Sequence, residues 1–192
     1  KDNLFLVDDY IVTHNSYWSA NGMILHNFYF DGCYDYEDYW ENVQNNAQPT
    51  SETLVGAIDT AYSKDLLEKV QIGMDEVVGS QIFQGNSIPS PLSKSFSGSW
   101  YSGKQFIIAK TDKKINGKWQ RVGSGSIVYH RSFKDDPFAG NGTRPSVTAL
   151  EEVGFMKNLP EALGAMKSTT YDGPIKFGTI YMFGTGGAML GG

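Results

Sequence analysis

Four short runs constrain this chain most, because each is apolar or small along its whole length: Leu54-Val-Gly-Ala-Ile58, Ser126-Ile-Val-Tyr129, Val147-Thr-Ala-Leu150 and Phe177-Gly-Thr-Ile-Tyr-Met-Phe183. A strand with one wet face alternates in polarity, whereas a strand covered on both faces does not. Helical spacings fall between and before these runs. Tyr17, Ala20, Ile24 and Phe28 recur through residues 16–30, Ser63 to Gln71 follows the first run, and Phe155, Leu159, Leu163 and Met166 follow the third. Strands alternating with helices predict an α/β fold with a mostly parallel sheet and flanking helices. The polar stretch from Asp35 to Thr53 offers no apolar period and reads as a loop, as does Lys134 to Thr143. Asn116-Gly117, flanked by Lys104 to Ala109 and Lys118 to Val122, is the strongest hairpin signal. Leu4 to Thr13 reads as two short β segments around Asp8-Asp9.

Composition narrows the class. The 192 residues are 40% hydrophobic and 14% aromatic, enough for one buried core. No uninterrupted apolar stretch approaches the roughly 20 residues of a membrane span. A net charge of −5 excludes a surface built wholly for nucleic acid and leaves room only for a confined basic patch. The single cysteine, Cys33, cannot close an internal disulfide, and with no signal-like opening this favours an intracellular setting. The chain opens at Lys1 and closes on a glycine-rich stretch, which reads as a piece of a longer protein.

The chemistry concentrates where the third run meets two acids, Val147-Thr-Ala-Leu-Glu151-Glu152. A buried strand that delivers two carboxylates at its carboxyl end resembles the Walker B motif of P-loop ATPases. Open α/β sheets bind ligands at that end. One acid can hold a magnesium shell while the next orients the attacking water, the division of labour that phosphoryl transfer needs.

From Gly140 the resemblance sharpens. Gly140-Asn-Gly-Thr-Arg-Pro-Ser-Val-Thr-Ala-Leu-Glu-Glu-Val-Gly-Phe155, then Phe177 to Gly187, resemble the ATPase half of large terminase subunits, the motors that pump double-stranded DNA into tailed-phage heads. Leu54 to Leu67 and Ile127 to Asp135 resemble the same subunits in the same order. The resemblance spans residues 16–192 and implies an incomplete P-loop fold of the RecA-like kind carrying an inserted β-hairpin. It implies ATP and Mg2+ as cofactors, with Glu151 and Ser16 on the metal and Glu152 orienting water. Gly184, Thr185 and Gly186 would form the coupling motif beside the nucleotide. A motor ring also needs an arginine that reaches a neighbour's γ-phosphate, and Arg144, ahead of Arg131, is the candidate. Its implied partners are double-stranded viral DNA, the portal, the small terminase subunit and further copies in a ring, with no membrane. The implied setting is the host cytoplasm, transiently at the procapsid portal.

No Gly-x-x-x-x-Gly-Lys-Ser/Thr loop precedes the first helix, where backbone amides and a lysine should cradle phosphates. Where that loop should end stands Ser16, directly after Val12-Thr-His14-Asn15. Together with Phe5 to Ile11, this tetrapeptide resembles the C-terminal block of an intein, which ends in His-Asn before Ser, Thr or Cys. The Asn15 amide can attack its own carbonyl and break the bond to Ser16, with His14 as proton donor and the Ser16 hydroxyl as the earlier nucleophile. Residues 1–15 are therefore expected to be an intein end and residues 16–192 a partial ATPase domain, whose phosphate loop splicing would rebuild. This chain lacks the second intein histidine at Lys1 to Leu4 and the rest of an intein. Neither cis splicing nor appreciable ATP hydrolysis is expected of it alone.

Other features read more plainly. Lys110, Lys113, Lys114, Lys118 and Arg121 guard a solvated hairpin edge, with contact to DNA phosphate as the alternative. His26 and His130 lack metal-ligand spacing and read as packing residues. Tyr34, Tyr36, Tyr39 and Trp40 read as aromatic edges over a small core, or else as a sugar or peptide platform. The rival function is a non-enzymatic, β-rich phage structural or ligand-binding module, which would not explain the order of the ATPase-like segments.

Overall fold

The computed structural model describes residues 4–7, 11–14, 16–45, 49–79, 97–99 and 106–184. Strands β1 (Leu4–Val7) and β2 (Ile11–His14) form an antiparallel pair of their own, the two segments expected around Asp8-Asp9. Helix α1 (Ser16–Tyr29) follows, then α2 (Tyr36–Gln44). The central strand β3 (Glu52–Ala57) leads into α3 (Thr60–Gly79). After β4 (Ser97–Ser99) and β5 (Phe106–Ile108) come the hairpin strands β6 (Thr111–Ile115) and β7 (Lys118–Val122). Then β8 (Ile127–Ser132), β9 (Val147–Glu151), a 3-10 turn (Val153–Phe155) and α4 (Leu159–Thr169) lead to the short pair β10 (Tyr171–Asp172) and β11 (Ile175–Lys176) and to β12 (Thr179–Met182).

Six strands make one sheet in the order β12-β9-β3-β8-β5-β4. The first four are mutually parallel, and β5 and β4 add antiparallel at one edge. The protein is thus α/β, with a mostly parallel central sheet flanked by helices. Parallel strands lie buried on both faces, which is why β3 and β9 show the uninterrupted runs. On one face Val55, Val128 and Ala149 meet Ile24 and Phe28 of α1 and Leu66, Leu67 and Val70 of α3. On the other, Leu54, Tyr129 and Leu150 pack with Phe133 and with Ala162 and Met166 of α4. Two cores therefore sandwich the sheet.

Three sequence expectations need correction. Residues 36–44 form α2 instead of a loop: Asp35 Oδ1 accepts the Asp38 N–H at 2.9 Å, and Asp38 Oδ2 accepts the Tyr34 N–H at 2.9 Å. That capping, with acids in the first turn, starts a helix whose sequence sets Tyr36, Tyr39, Trp40 and Val43 along one side, Tyr39 packing edge-on against Phe30 at 6.0 Å. The partner of Lys118–Val122 is Thr111–Ile115, not residues 104–109, because Phe106–Ile108 is taken by β8 in the main sheet. Asn116 and Gly117, both at positive φ (51° and 80°), close this tighter hairpin. Finally, α4 begins at Leu159 rather than near 155, where the 3-10 turn stands and Pro160 occupies the first helical turn.

No described helix is long and apolar enough to cross a membrane.

Candidate active site

The direction of α1 sets the geometry. Near its C-terminus, Asn27 Nδ2 donates to Thr53 Oγ1 at 2.8 Å, at the start of β3. Ser146 Oγ, just before β9, donates to Asn27 Oδ1 at 3.0 Å, and Ser51 Oγ donates to the Asn27 carbonyl at 2.8 Å. The C-terminal end of α1 is therefore pinned to the amino ends of the strands. The other end of the sheet is the carboxyl end of its parallel strands. That is the end at which β9 delivers its acids.

Glu151 is the last residue of β9 and only 7% exposed. Its Oε2 finds no hydrogen-bond partner among the described residues. Burial pushes its pKa up from 4.5 to about 7; Lys69 opposes the rise, while the charges of Asp65 and Glu152 reinforce it. Lys69 is itself held by Asp65 at 2.6 Å, one turn away on α3. A carboxyl so placed is costly as an anion until a cation or donor reaches it. Glu152 follows in the left-handed region (φ 55°, ψ 39°), a conformation that costs a non-glycine residue about 1–2 kcal/mol and turns the chain sharply off the strand.

The end of β12 closes on the same point. Phe183 N–H donates to the Leu150 carbonyl at 3.0 Å, and Val153 N–H to the Phe183 carbonyl at 3.4 Å. Gly184 (φ +140°) lies so near that a Cβ there would sit 2.6 Å from Glu152 Cα. Only glycine admits this approach. The structure thus brings together Glu151, Glu152 and Gly184 at the carboxyl end of the sheet. Thr185, Gly186 and Asn15 lie outside the described residues, while His14 ends β2.

Arg144 is not brought to this group. It precedes β9, and its N–H donates to Glu52 Oε2 at 3.2 Å, so it sits at the amino end of the sheet. There its guanidinium pairs with Asp172 at 3.4 Å and lies 5.1 Å from the Phe177 ring centroid. Arg131 is likewise engaged, donating to the His130 carbonyl at 2.8 Å and stacking on Tyr129.

Sequence reasoning missed two buried polar sets. Asn27, on the apolar face of α1 one turn from Ile24, is the hub described above, and the signal was an amide amid buried positions. Ser63 Oγ of α3 lies 3.0 Å from Nδ1 of His130, whose Nε2 finds no partner among the described residues. Burial lowers the His130 pKa, with Lys64 and Arg131 reinforcing, so the ring is neutral. His26 instead stacks on Phe30 at 4.6 Å on the surface of α1. Among the described residues no three His, Cys, Asp or Glu side chains group as a protein metal cage. No known family model, curated protein or solved structure matches this chain.

Proposed function

We propose that residues 16–192 are the greater part of a P-loop ATPase domain of the large-terminase type, a motor that couples ATP hydrolysis to movement of double-stranded DNA, and that residues 1–15 are an intein end. The observation that carries the reading is the buried Glu151 carboxyl at the carboxyl end of a parallel sheet, with one oxygen unsatisfied among the described residues. A phosphate loop leading into Ser16 would place its amides and the positive end of the helix dipole there. The sheet has room for the strand that such a loop requires: among the described residues β12 pairs only with β9, and a strand can add parallel along its other edge.

The donor set fits Mg2+ held mainly by phosphate. Magnesium is taken by one or two carboxylates plus substrate oxygens rather than by a dedicated cage. Glu151 and the Ser16 hydroxyl would hold it, and the ion would supply charge neutralisation on the phosphates. Glu152 orients the attacking water and takes its proton. The contact of Gly184 with the Glu152 backbone ties the position of that carboxylate to the end of β12, which is how a coupling segment there would sense the state of the site.

The test replaces residues 1–15 with a strand and Gly-x-x-x-x-Gly-Lys loop joined to Ser16. Magnesium-dependent ATPase activity is expected of the restored protein, and none of the present chain. Glu152→Gln should lower turnover by two decades or more, and a loss under about tenfold removes the water-orienting role. Glu151→Ala should weaken the dependence on magnesium.

A further inference from the structure

Residues 110–122 carry five of the chain's 16 lysines and arginines and one of its 21 acids. The segment is therefore +4 in a chain of net charge −5, which leaves −9 on everything else. These residues form β6, β7 and their tip, a separate two-stranded ribbon whose main contacts are within itself. Trp119 is 73% exposed and stands directly opposite Lys114 in the register, as Ile115 stands opposite the exposed Lys118. A tryptophan left in water beside lysines on a self-contained ribbon does nothing for either core.

The ribbon is also held rigidly. At its neck Ala109 N–H donates to the Ser126 carbonyl at 2.8 Å, and Gly125 N–H donates to the Ala109 carbonyl at 3.1 Å. Gly123 (φ +134°) passes so close that a Cβ would meet the Ala109 oxygen at 2.1 Å. Binding by such a ribbon carries little ordering cost. It leaves the sheet beside Ile127, which pairs with Glu52 at the amino end, opposite Glu151. Hairpin and acid pair are thus spatially independent.

We infer that the β6–β7 ribbon is a DNA-binding element that grips the backbone of a duplex, with Lys114 and Lys118 on phosphates and the Trp119 ring against the sugar or base edge. A two-stranded ribbon fits the roughly 12 Å major groove. Phosphate is the partner that a segment of +4 in a chain of net charge −5 selects, since the basic charge is concentrated there. The choice of a duplex rests on the DNA-motor reading, whereas the affinity for phosphate does not.

The experiment is fluorescence anisotropy of a labelled 20-base-pair DNA with the 192-residue chain, without nucleotide or magnesium. Binding at about 10⁻⁵ M in low salt is expected, falling linearly on a log–log salt plot. Lys114→Gln with Lys118→Gln should weaken it at least tenfold and reduce that slope by about 2. Trp119→Ala should weaken it several-fold, and Lys157→Gln with Lys167→Gln, exposed elsewhere, should leave it unchanged. All these positions are exposed, so an unaltered unfolding temperature establishes that the variants fold. No binding at 50 mM salt, or an unaffected Lys114/Lys118 variant, overturns the inference. A single strand binding tenfold better than the duplex overturns it as stated. So does a dimer that the same variant dissolves, since the partner would then be the acidic face of a second copy. Because no nucleotide is present, an inactive loop-restored protein leaves this result standing, and failure here leaves the ATPase test intact.

Discussion

The buried Glu151 makes folding stability depend on pH in a direction opposite to that of most carboxylates. In the unfolded chain its proton leaves near 4.5, and in the folded chain near 7. Between those values the native state binds the extra proton, so this residue's contribution is fully present below 4.5 and is lost as pH rises through 7. At 1.36 kcal/mol per pH unit, the interval corresponds to about 3 kcal/mol, a large part of the 5–15 kcal/mol that holds a typical domain together. Glu151→Gln keeps the shape and removes the titration. Urea unfolding of both proteins at pH 5, 6, 7 and 8 should show the variant gaining on the parent by about 3 kcal/mol across the range, most steeply between pH 5 and 7. Titrating groups that do not interact with Glu151 cancel in the difference, which leaves Glu151 and the charges that reach it, Lys69, Asp65 and Glu152. Parallel stability curves would mean that Glu151 is ionised and solvated, and the argument from its burial would collapse.

Gly184→Ala forces a Cβ onto the Glu152 backbone and should cost about 1–3 kcal/mol by thermal unfolding; in the loop-restored protein it should also lower ATPase turnover more than tenfold, and a neutral result removes the contact from the mechanism. Asn27→Leu removes the amide that donates to the buried Thr53 hydroxyl, while Ser146 keeps its bond to the Glu52 carbonyl at 3.2 Å, and should destabilise by about 1–3 kcal/mol in urea. Gly56→Ala places a methyl group 2.6 Å from Leu150 Cδ2 and from the Phe133 ring, an overpacking worth about 1–3 kcal/mol, with unchanged stability as the contrary result. Supplying the missing intein portion should cut or splice the chain after Asn15 as read by mass spectrometry, and Asn15→Ala should abolish the product.

β3, β8 and β9 were legible because burial on both faces erases polar alternation, whereas β12 also coincides with an apolar run although Thr179 and Met182 are exposed. What stayed hidden depended on competition or direction. Phe106–Ile108 is more apolar than Thr111–Ile115 and so looked the better hairpin strand, yet the main sheet claims it for that same reason. Helix α2 carries both the caps of Asp35 and Asp38 and the spacing of Tyr36, Tyr39, Trp40 and Val43, signals that the high polarity of the surrounding stretch outweighed in the sequence reading. Glu151 and Glu152 were found from the strand that precedes them. Arg144, three residues ahead of a parallel strand, emerges at the amino end of the sheet, away from the acids of its own chain, so any service to a nucleotide would be to a neighbour's.

The central place of β3 has a cost during synthesis. Its neighbours are far ahead in the chain, since Glu52 pairs with Ile127 and Thr53 with Val147, separations of 75 and 94 residues. At about 5–20 residues per second, a ribosome takes roughly 5–20 s to deliver the second partner. Until then the central strand of the sheet has neither of its neighbours, and pairings this distant are slow to close once both are made. The strand around which the sheet is built is thus made early and satisfied late. The nascent chain is most prone to pair with the wrong neighbour during that interval, when only α1 and α3 are available to shield one of its faces.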